Sequence, residues 1–277
     1  MRTQSHDTHP EMEDVHIALI RQASIAKRIA ITRSWSQRII RLSRRAMMKA
    51  NPEWTLEKRK ETILAYNYGI TVIEQFPHNG ETMNAPDLLA TMIPLIDAFE
   101  KIGVSYSIGG SVASSAYGIP RATLDVDIVS DLKIHQVPLL VTLLESSYYR
   151  DEEMMIRAIR DSTSFNLIHL ETLMKIDVFI VKDEDYPKES FRRRRKEELE
   201  EIEGAARYYL LSPEDIILSK LEWYRLGNYV SQQQWNDIMG VLKVQHRMLD
   251  MEYLRKWASE LGLSSLLEQA IRDADME

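Results

Sequence analysis

Three aspartates in this chain stand where side chains must act together. Asp125 and Asp127 lie two residues apart in Leu124-Asp125-Val126-Asp127-Ile128-Val129, and Asp177 lies in a second run of the same kind, Lys175-Ile176-Asp177-Val178-Phe179-Ile180-Val181. Side chains at i and i+2 of a strand share a face, so Asp125 and Asp127 project together while Val126 and Ile128 enter the opposite, apolar side. Two carboxylates that close repel, and keeping both ionised is costly unless a cation sits between them. The arrangement suits Mg²⁺, which accepts one or two carboxylates plus substrate phosphates. A lone acid in an apolar strand needs a reason. For Asp177 the expectation is that it takes the proton from an attacking hydroxyl or completes a metal site.

The element before this pair carries the opposite chemistry. Val104, Tyr106 and Ile108 alternate with smaller residues at the period of a half-buried strand, and Gly109-Gly110-Ser111 ends it in a tight turn. Residues 112–117 suit one or two helical turns, with Gly118 as a stop and Pro120 blocking continuation. A glycine turn opening a helix leaves backbone N–H groups free and allows a bulky anion to approach closely. This is the expected phosphate seat. Neither Gly-x-Gly-x-x-Gly nor Gly-x-x-x-x-Gly-Lys-Ser/Thr occurs, so a dinucleotide-binding sheet is not expected.

Taken in order, Gly110-Ser111, Asp125-x-Asp127 and Asp177 resemble the nucleotidyltransferase superfamily related to DNA polymerase beta. Residues 118–127, Gly-Ile-Pro-Arg-Ala-Thr-Leu-Asp-Val-Asp, resemble the branch that contains AbiEii-type toxin nucleotidyltransferases and uncharacterised bacterial relatives. Downstream, Lys220 and Asp237 match the order of a helical lysine and a following helical aspartate in that branch. The resemblance spans roughly residues 88–263. It implies an α+β fold: a small mixed β-sheet nucleotidyltransferase core with N-terminal and C-terminal helical regions. It also implies transfer of a nucleoside monophosphate from an NTP to an acceptor hydroxyl, with release of pyrophosphate. Gly109, Gly110 and Ser111 would hold the triphosphate, and Asp125, Asp127 and Asp177 would bind two Mg²⁺ ions. Arg121 and Lys220 would stabilise charge in the transition state, and Asp237 would support the lysine or the metal site. RNA or tRNA is the acceptor implied, as in toxin–antitoxin or abortive-infection systems. Two alternatives stay open: a small-molecule, antibiotic-type nucleotidyltransferase, and a non-catalytic nucleotide- or RNA-binding protein on the same scaffold. Read from the residues alone, Lys220 could equally snorkel to solvent or form an exposed ion pair with Asp237.

The elements that position these residues follow from pattern. The stretch 85–102 carries a helical stripe ahead of the first strand, residues 137–146 and 151–160 read as helices, and 164–169 and 175–181 could pair as strands. Ser212-Pro213-Glu214-Asp215 is a helix start, with Ser212 as N-cap and acids at the positive end of the dipole. Helices are expected over 216–225, 233–245, 250–261 and 264–273.

The chain of 277 residues is 44% hydrophobic, enough for a packed core in one large or two modest domains. It has no cysteine, which excludes disulfides and thiolate metal sites. No run reaches transmembrane length and the first residues lack the apolar core of a signal peptide, so no membrane partner and a cytoplasmic location are expected. His6, His9 and His16 lack supporting acids at fixed spacing and are not read as a metal site.

The net charge of −7 argues against nonspecific nucleic-acid binding by the whole surface, yet it conceals an asymmetry. Residues 21–60 are strongly basic, with Glu53 and Glu57 as the only acids. Ile25, Ile29, Trp35, Ile39, Leu42, Ala46 and Met47 recur there at roughly helical spacing up to Asn51-Pro52, and a further helix is expected over 57–73 before a linker at 76–80. The expected organisation is a basic helical N-terminal domain and linker (1–80), the nucleotidyltransferase core (81–205) and a C-terminal helical region (206–277). The basic helices are expected to form a solvated amphipathic bundle, or else to bind RNA or act as a cis regulator of the core. The arginine run at 192–195, followed at once by acids, is expected to be a self-neutralising helix or hairpin edge, or else to line an RNA groove.

Overall fold

A computed structural model describes residues 9–69 and 86–274. The linker expected at 76–80, the end of the helix expected over 57–73, and His6 lie outside the described residues. In chain order the first elements are α1 (Pro10–Gln22), α2 (Ile25–Ala50), α3 (Leu56–Tyr68), α4 (Leu88–Lys101), β1 (Tyr106–Ile108) and α5 (Gly110–Tyr117). The middle of the chain forms β2 (Asp125–Ser130), α6 (Val137–Leu144), β3 (Tyr148–Tyr149), α7 (Glu152–Asp161), β4 (Ser164–His169) and β5 (Lys175–Ile180). The remainder is α8 (Asp185–Arg192), β6 (Arg195–Glu198), β7 (Arg207–Leu210), α9 (Pro213–Leu226), α10 (Gln232–Gln245), α11 (Met251–Glu260) and α12 (Ser264–Asp273). The fold is α+β, as expected.

The chain divides into two compact units, each assembled from separate stretches. One, here the aspartate unit, comprises Arg33–Tyr106 and Ala122–Lys182; the other, the helical unit, comprises Met1–Thr32, Ser107–Arg121 and Asp183–Glu277. This differs from the three consecutive segments expected from the sequence. The basic N-terminal stretch does not stand apart, because the single helix α2 runs from one unit into the other.

In the aspartate unit the strand order is β3-β4-β5-β2. β2 and β5 run parallel, with Asp125 opposite Lys175 and Asp127 opposite Asp177, while β4 runs antiparallel to β5. Along β2 the residues Val126, Ile128 and Ser130 are buried and the alternate ones half-buried, and β5 shows the same alternation. Helix α4 packs on β2 and β5 and buries Met92, Leu95 and Phe99. Its Pro94 sits inside the helix, where a proline strains the preceding turn. The buried hydroxyl of Tyr148 is inserted there. It accepts from Leu95 N–H at 3.2 Å and donates to Thr91 C=O at 2.5 Å, linking two backbone groups one helical turn apart.

Helix α2 corrects the expected stripe. Trp35, Ile39 and Leu42 are 44%, 51% and 64% exposed, whereas Ser36, Ile40 and Arg44, four residues apart, face inward in this unit. The physical reason is that the inward polar groups serve backbone that would otherwise go unpaired: Ser36 Oγ accepts from Thr123 N–H at 3.0 Å, and Arg44 donates to Thr172 C=O at 2.5 Å. Helix α3 starts on the Thr55 N-cap and ends at Gly69, whose φ of +67° is the left-handed stop that glycine favours. Its Ile63 and Leu64 pack with Ile168 and Leu173.

In the helical unit the strand order is β1-β7-β6, with Ile108 parallel to Leu210 and β6 antiparallel to β7. Strand β1 is buried on both faces, Ser107 included, where the alternation predicts a half-buried strand. Helix α10 packs on α1, α5, α9 and α12. Gly118 ends α5, as the sequence indicates, but a deeper reason for glycine is the approach of α10. A Cβ at this position would lie 2.8 Å from both Ser114 O and Val241 N. Arg28 lies on the inward face of α2 here and donates to Ile20 and Ala116 carbonyls at 3.0 and 2.9 Å. The buried Lys243–Glu13 pair, at 2.5 Å, ties α10 to α1.

Candidate active site

The first cluster is the acid face of the aspartate unit. Because β2 and β5 are parallel and in register, Asp127 and Asp177 are direct cross-strand neighbours and Asp125 lies two residues along on the same face. Their other faces are filled by Val126, Ile128, Ile176 and Val178, all fully buried, so the acids cannot turn inward. Asp125 is held by the Thr123 hydroxyl, which donates to Oδ1 at 2.8 Å. Asp177 is held by Lys175, whose Nζ lies 2.7 Å from Oδ2. Burial pushes the Asp177 carboxyl up; Lys175 opposes that shift and the charge of Asp125 adds to it.

Tyr68, the last residue of α3, reaches the same place. Its hydroxyl lies 3.2 Å from both the Leu124 and Leu173 carbonyls, which immediately precede β2 and shortly precede β5. Its ring centroid is 5.8 Å from Lys175 Nζ. Burial pushes the Tyr68 hydroxyl up to about 12, so it is a donor and not an anion at neutral pH. Tyr68, Thr123 and Lys175 were not singled out by the sequence reading as parts of a site. Lys175 was readable, because it stands at i−2 from Asp177 and shares its face; the Tyr68 contact joins residues 56 apart and leaves no local trace.

The second cluster is in the helical unit. Arg121 donates from Nε to Asp237 Oδ1 at 2.6 Å and from Nη2 to Oδ2 at 2.8 Å, a two-pronged grip that matches guanidinium to carboxylate geometry. The same Nη2 donates to Ser111 Oγ at 2.5 Å. Lys220 Nζ reaches Asp237 Oδ2 at 2.8 Å. With its amide oxygen turned toward Arg121, Gln233 accepts from Nη1 and Nη2 at 2.8 and 2.9 Å. Burial would raise the Asp237 carboxyl, but Arg121 and Lys220 together outweigh it and hold the group below the usual carboxylate range.

Lys220 is 5% exposed, which corrects both the snorkelling and the exposed-pair expectations. The pair is buried because α9 and α10 pack along their length and bring position 220 against 237. The structure thus joins Ser111, Arg121, Lys220 and Asp237, and adds Gln233, which precedes Asp237 by one helical turn on α10. Gly109 caps α5 and Gly110 has φ of +51°, a conformation glycine takes without strain. Two cations face one carboxylate in this cluster.

The arginine run belongs to a different network of the helical unit. Arg193 and Arg195 approach the fully buried Glu214 at 3.5 and 3.2 Å, and Arg193 lies 3.7 Å over the Tyr253 ring. Arg194 stacks between Phe191 and Tyr209 and donates to the Phe191 carbonyl. The hairpin-edge expectation holds in that β6 pairs β7, and Arg193, Arg194 and Arg195 make contacts within their own unit.

No family model matches the chain, and no curated protein matches it. Among solved structures, an antigenic nucleotidyltransferase-like protein from Paracoccidioides brasiliensis is similar at 15% identity and TM-score 0.40, covering 66% of this chain and 92% of its own. The antibiotic-resistance factor ANT(2'')-Ia is similar at 17% identity and TM-score 0.41, covering 65% of this chain and 95% of its own.

Proposed function

We propose that the chain is a Mg²⁺-dependent nucleotidyltransferase that moves a nucleoside monophosphate from an NTP to an acceptor hydroxyl, with RNA as the acceptor. The observation that carries this reading is the in-register pairing of Asp127 with Asp177, with Asp125 on the same face.

The donors suit Mg²⁺ in kind, being hard carboxylate oxygens, and an ion that takes one or two carboxylates plus substrate phosphates needs no complete protein cage. Among the described residues no group of three His, Asp or Glu side chains is arranged to hold a metal ion, and Asp177 is already paired with Lys175. The fit is therefore to one ion held by Asp125 and Asp127. When bound, that ion neutralises charge on the phosphates. Asp177 is assigned to accept the proton of the acceptor hydroxyl as its oxygen bonds to the α-phosphorus and the bond to the pyrophosphate oxygen breaks. Thr123 fixes the rotamer of Asp125, and Ser36 fixes the backbone of Thr123. A phosphate-binding role for Ser111, Arg121 and Lys220 of the helical unit, with Asp237 orienting both cations, is a separate assignment carried by the family resemblance alone.

An RNA acceptor is supported by the outward face of α2, where Arg38, Arg41, Arg45 and Lys49 are exposed in the unit that carries the acids. RNA modification is also the activity that the resemblance to toxin nucleotidyltransferases would supply. Offering α-labelled NTPs with cellular RNA or with small hydroxylated acceptors tests the assignment. Label in RNA supports it, and label only in a small acceptor replaces it with the antibiotic-type reading.

A further inference from the structure

Helices α1 and α2 each turn an apolar stripe to solvent. On α2 the exposed Trp35, Ile39, Leu42 and Ala46 recur at spacings of four, three and four, the seam that one helix presents to another. A basic edge runs beside this seam. Arg38 and Arg45 directly precede Ile39 and Ala46, and Arg41 lies on the same side, further from the seam. All three arginines are exposed, and no acid among the described residues pairs with them. On α1, Met12, Val15 and Leu19 are 62%, 53% and 59% exposed and recur at spacings of three and four, while Ile17 and Ile20 face the core. Here the edge is acidic. Glu11 and Asp14 are exposed along one side of the stripe, with Glu11 in a surface contact with the neighbouring His9 at 3.9 Å.

We propose that the stripe of α1 docks on the stripe of α2 in a second copy of this chain, so that the chain associates with itself. Aligned antiparallel, the two stripes match residue for residue: Met12 meets Leu42, Val15 meets Ile39 and Leu19 meets Trp35. The same alignment sets Glu11 beside Arg45 and Asp14 beside Arg41, so acid meets base along the shared edge. A parallel alignment instead sets Glu11 against Ser43, on the uncharged edge of α2, and loses that match. Where two copies make the contact in both directions the assembly closes as a dimer, and where they do not it grows by further copies. Mass rises with concentration in both cases. This contact is independent of the chemistry proposed for the acid face.

The test is sedimentation velocity of the full chain over a concentration series. The wild type is expected to gain mass with concentration, whereas Leu19→Glu and Leu42→Glu, which alter exposed side chains, should each stay monomeric. Reversing either edge, with Glu11→Arg plus Asp14→Arg or with Arg41→Glu plus Arg45→Glu, should weaken association. Mixing the two reversed chains should restore it, because opposite charges then meet again. That rescue separates a docking contact from a loss of folding. A wild type that is monomeric at every concentration would overturn the proposal and leave the basic edge of α2 to RNA or another partner. Association that the stripe variants leave undiminished would also overturn it, as would edge reversals that change nothing or that mixing does not rescue.

Discussion

Arg121 grips Asp237 with two donors, Nε at 2.6 Å from Oδ1 and Nη2 at 2.8 Å from Oδ2, across 116 residues of sequence. This joins the loop after α5 to the middle of α10 and leaves the carboxylate 7% exposed. Replacing Asp237 by Asn removes the charge while Arg121 and Lys220 stay in place. Breaking a buried pair by removing one partner costs about 3–5 kcal/mol. Asp237→Asn is therefore expected to lower the urea midpoint strongly, more than Lys220→Met does.

The same pair fixes a pH dependence. The folded Asp237 carboxyl lies below its usual range, so the group stabilises the fold above its unfolded pKa of about 4. That contribution is lost as pH falls through the depressed folded value. The stability gap between wild type and Asp237→Asn should be full at neutral pH and shrink only in acid below the usual carboxylate range. Chemical denaturation at a series of pH values measures it.

Tyr148→Phe tests the hydroxyl link within α4. Removing the hydroxyl strands Leu95 N–H and Thr91 C=O in the core of the aspartate unit, at a cost of about 1–3 kcal/mol. A thermal melt of the variant reads the loss directly.

Gly118→Ala tests the approach of α10 to α5. Its Cβ meets backbone atoms at 2.8 Å, which cannot rotate away, so the cost is expected to be about 1–3 kcal/mol, the range for overpacking. Since Gln233 and Asp237 lie on the helix that must move, nucleotide affinity should fall along with stability, and equilibrium binding of a labelled NTP checks it.

The acid strands were legible because alternation is written into adjacent residues: Asp125-Val126-Asp127 and Lys175-Ile176-Asp177 each declare a polar and an apolar face. Cap chemistry was local as well, and Ser212 accepts from Asp215 N–H as its neighbours imply. The orientation of α2 was not legible. Its apolar stripe suggested one buried face, but the unpaired N–H of Thr123 and carbonyl of Thr172 drew Ser36 and Arg44 inward and left Trp35, Ile39 and Leu42 outside. Burial of Lys220 escaped for the same reason, since its partner lies on another helix and no local pattern distinguishes a buried pair from an exposed one.

The position of α2 and α3 also bears on the expected cis regulation. Ser36, Arg44 and Tyr68 bond the backbone around β2 and β5. Deleting the residues before Gly80 should therefore lower both stability and transfer activity. Higher activity in the truncated chain would instead identify the basic helices as inhibitory.

The most direct test of the account is Mg²⁺-dependent transfer of label from each α-labelled NTP to RNA by the full chain, beside an Asp125→Ala, Asp127→Ala double variant of unchanged circular dichroism. The account predicts labelled RNA and released pyrophosphate with the wild type and neither above background with the variant. Undiminished transfer by the double variant would contradict it.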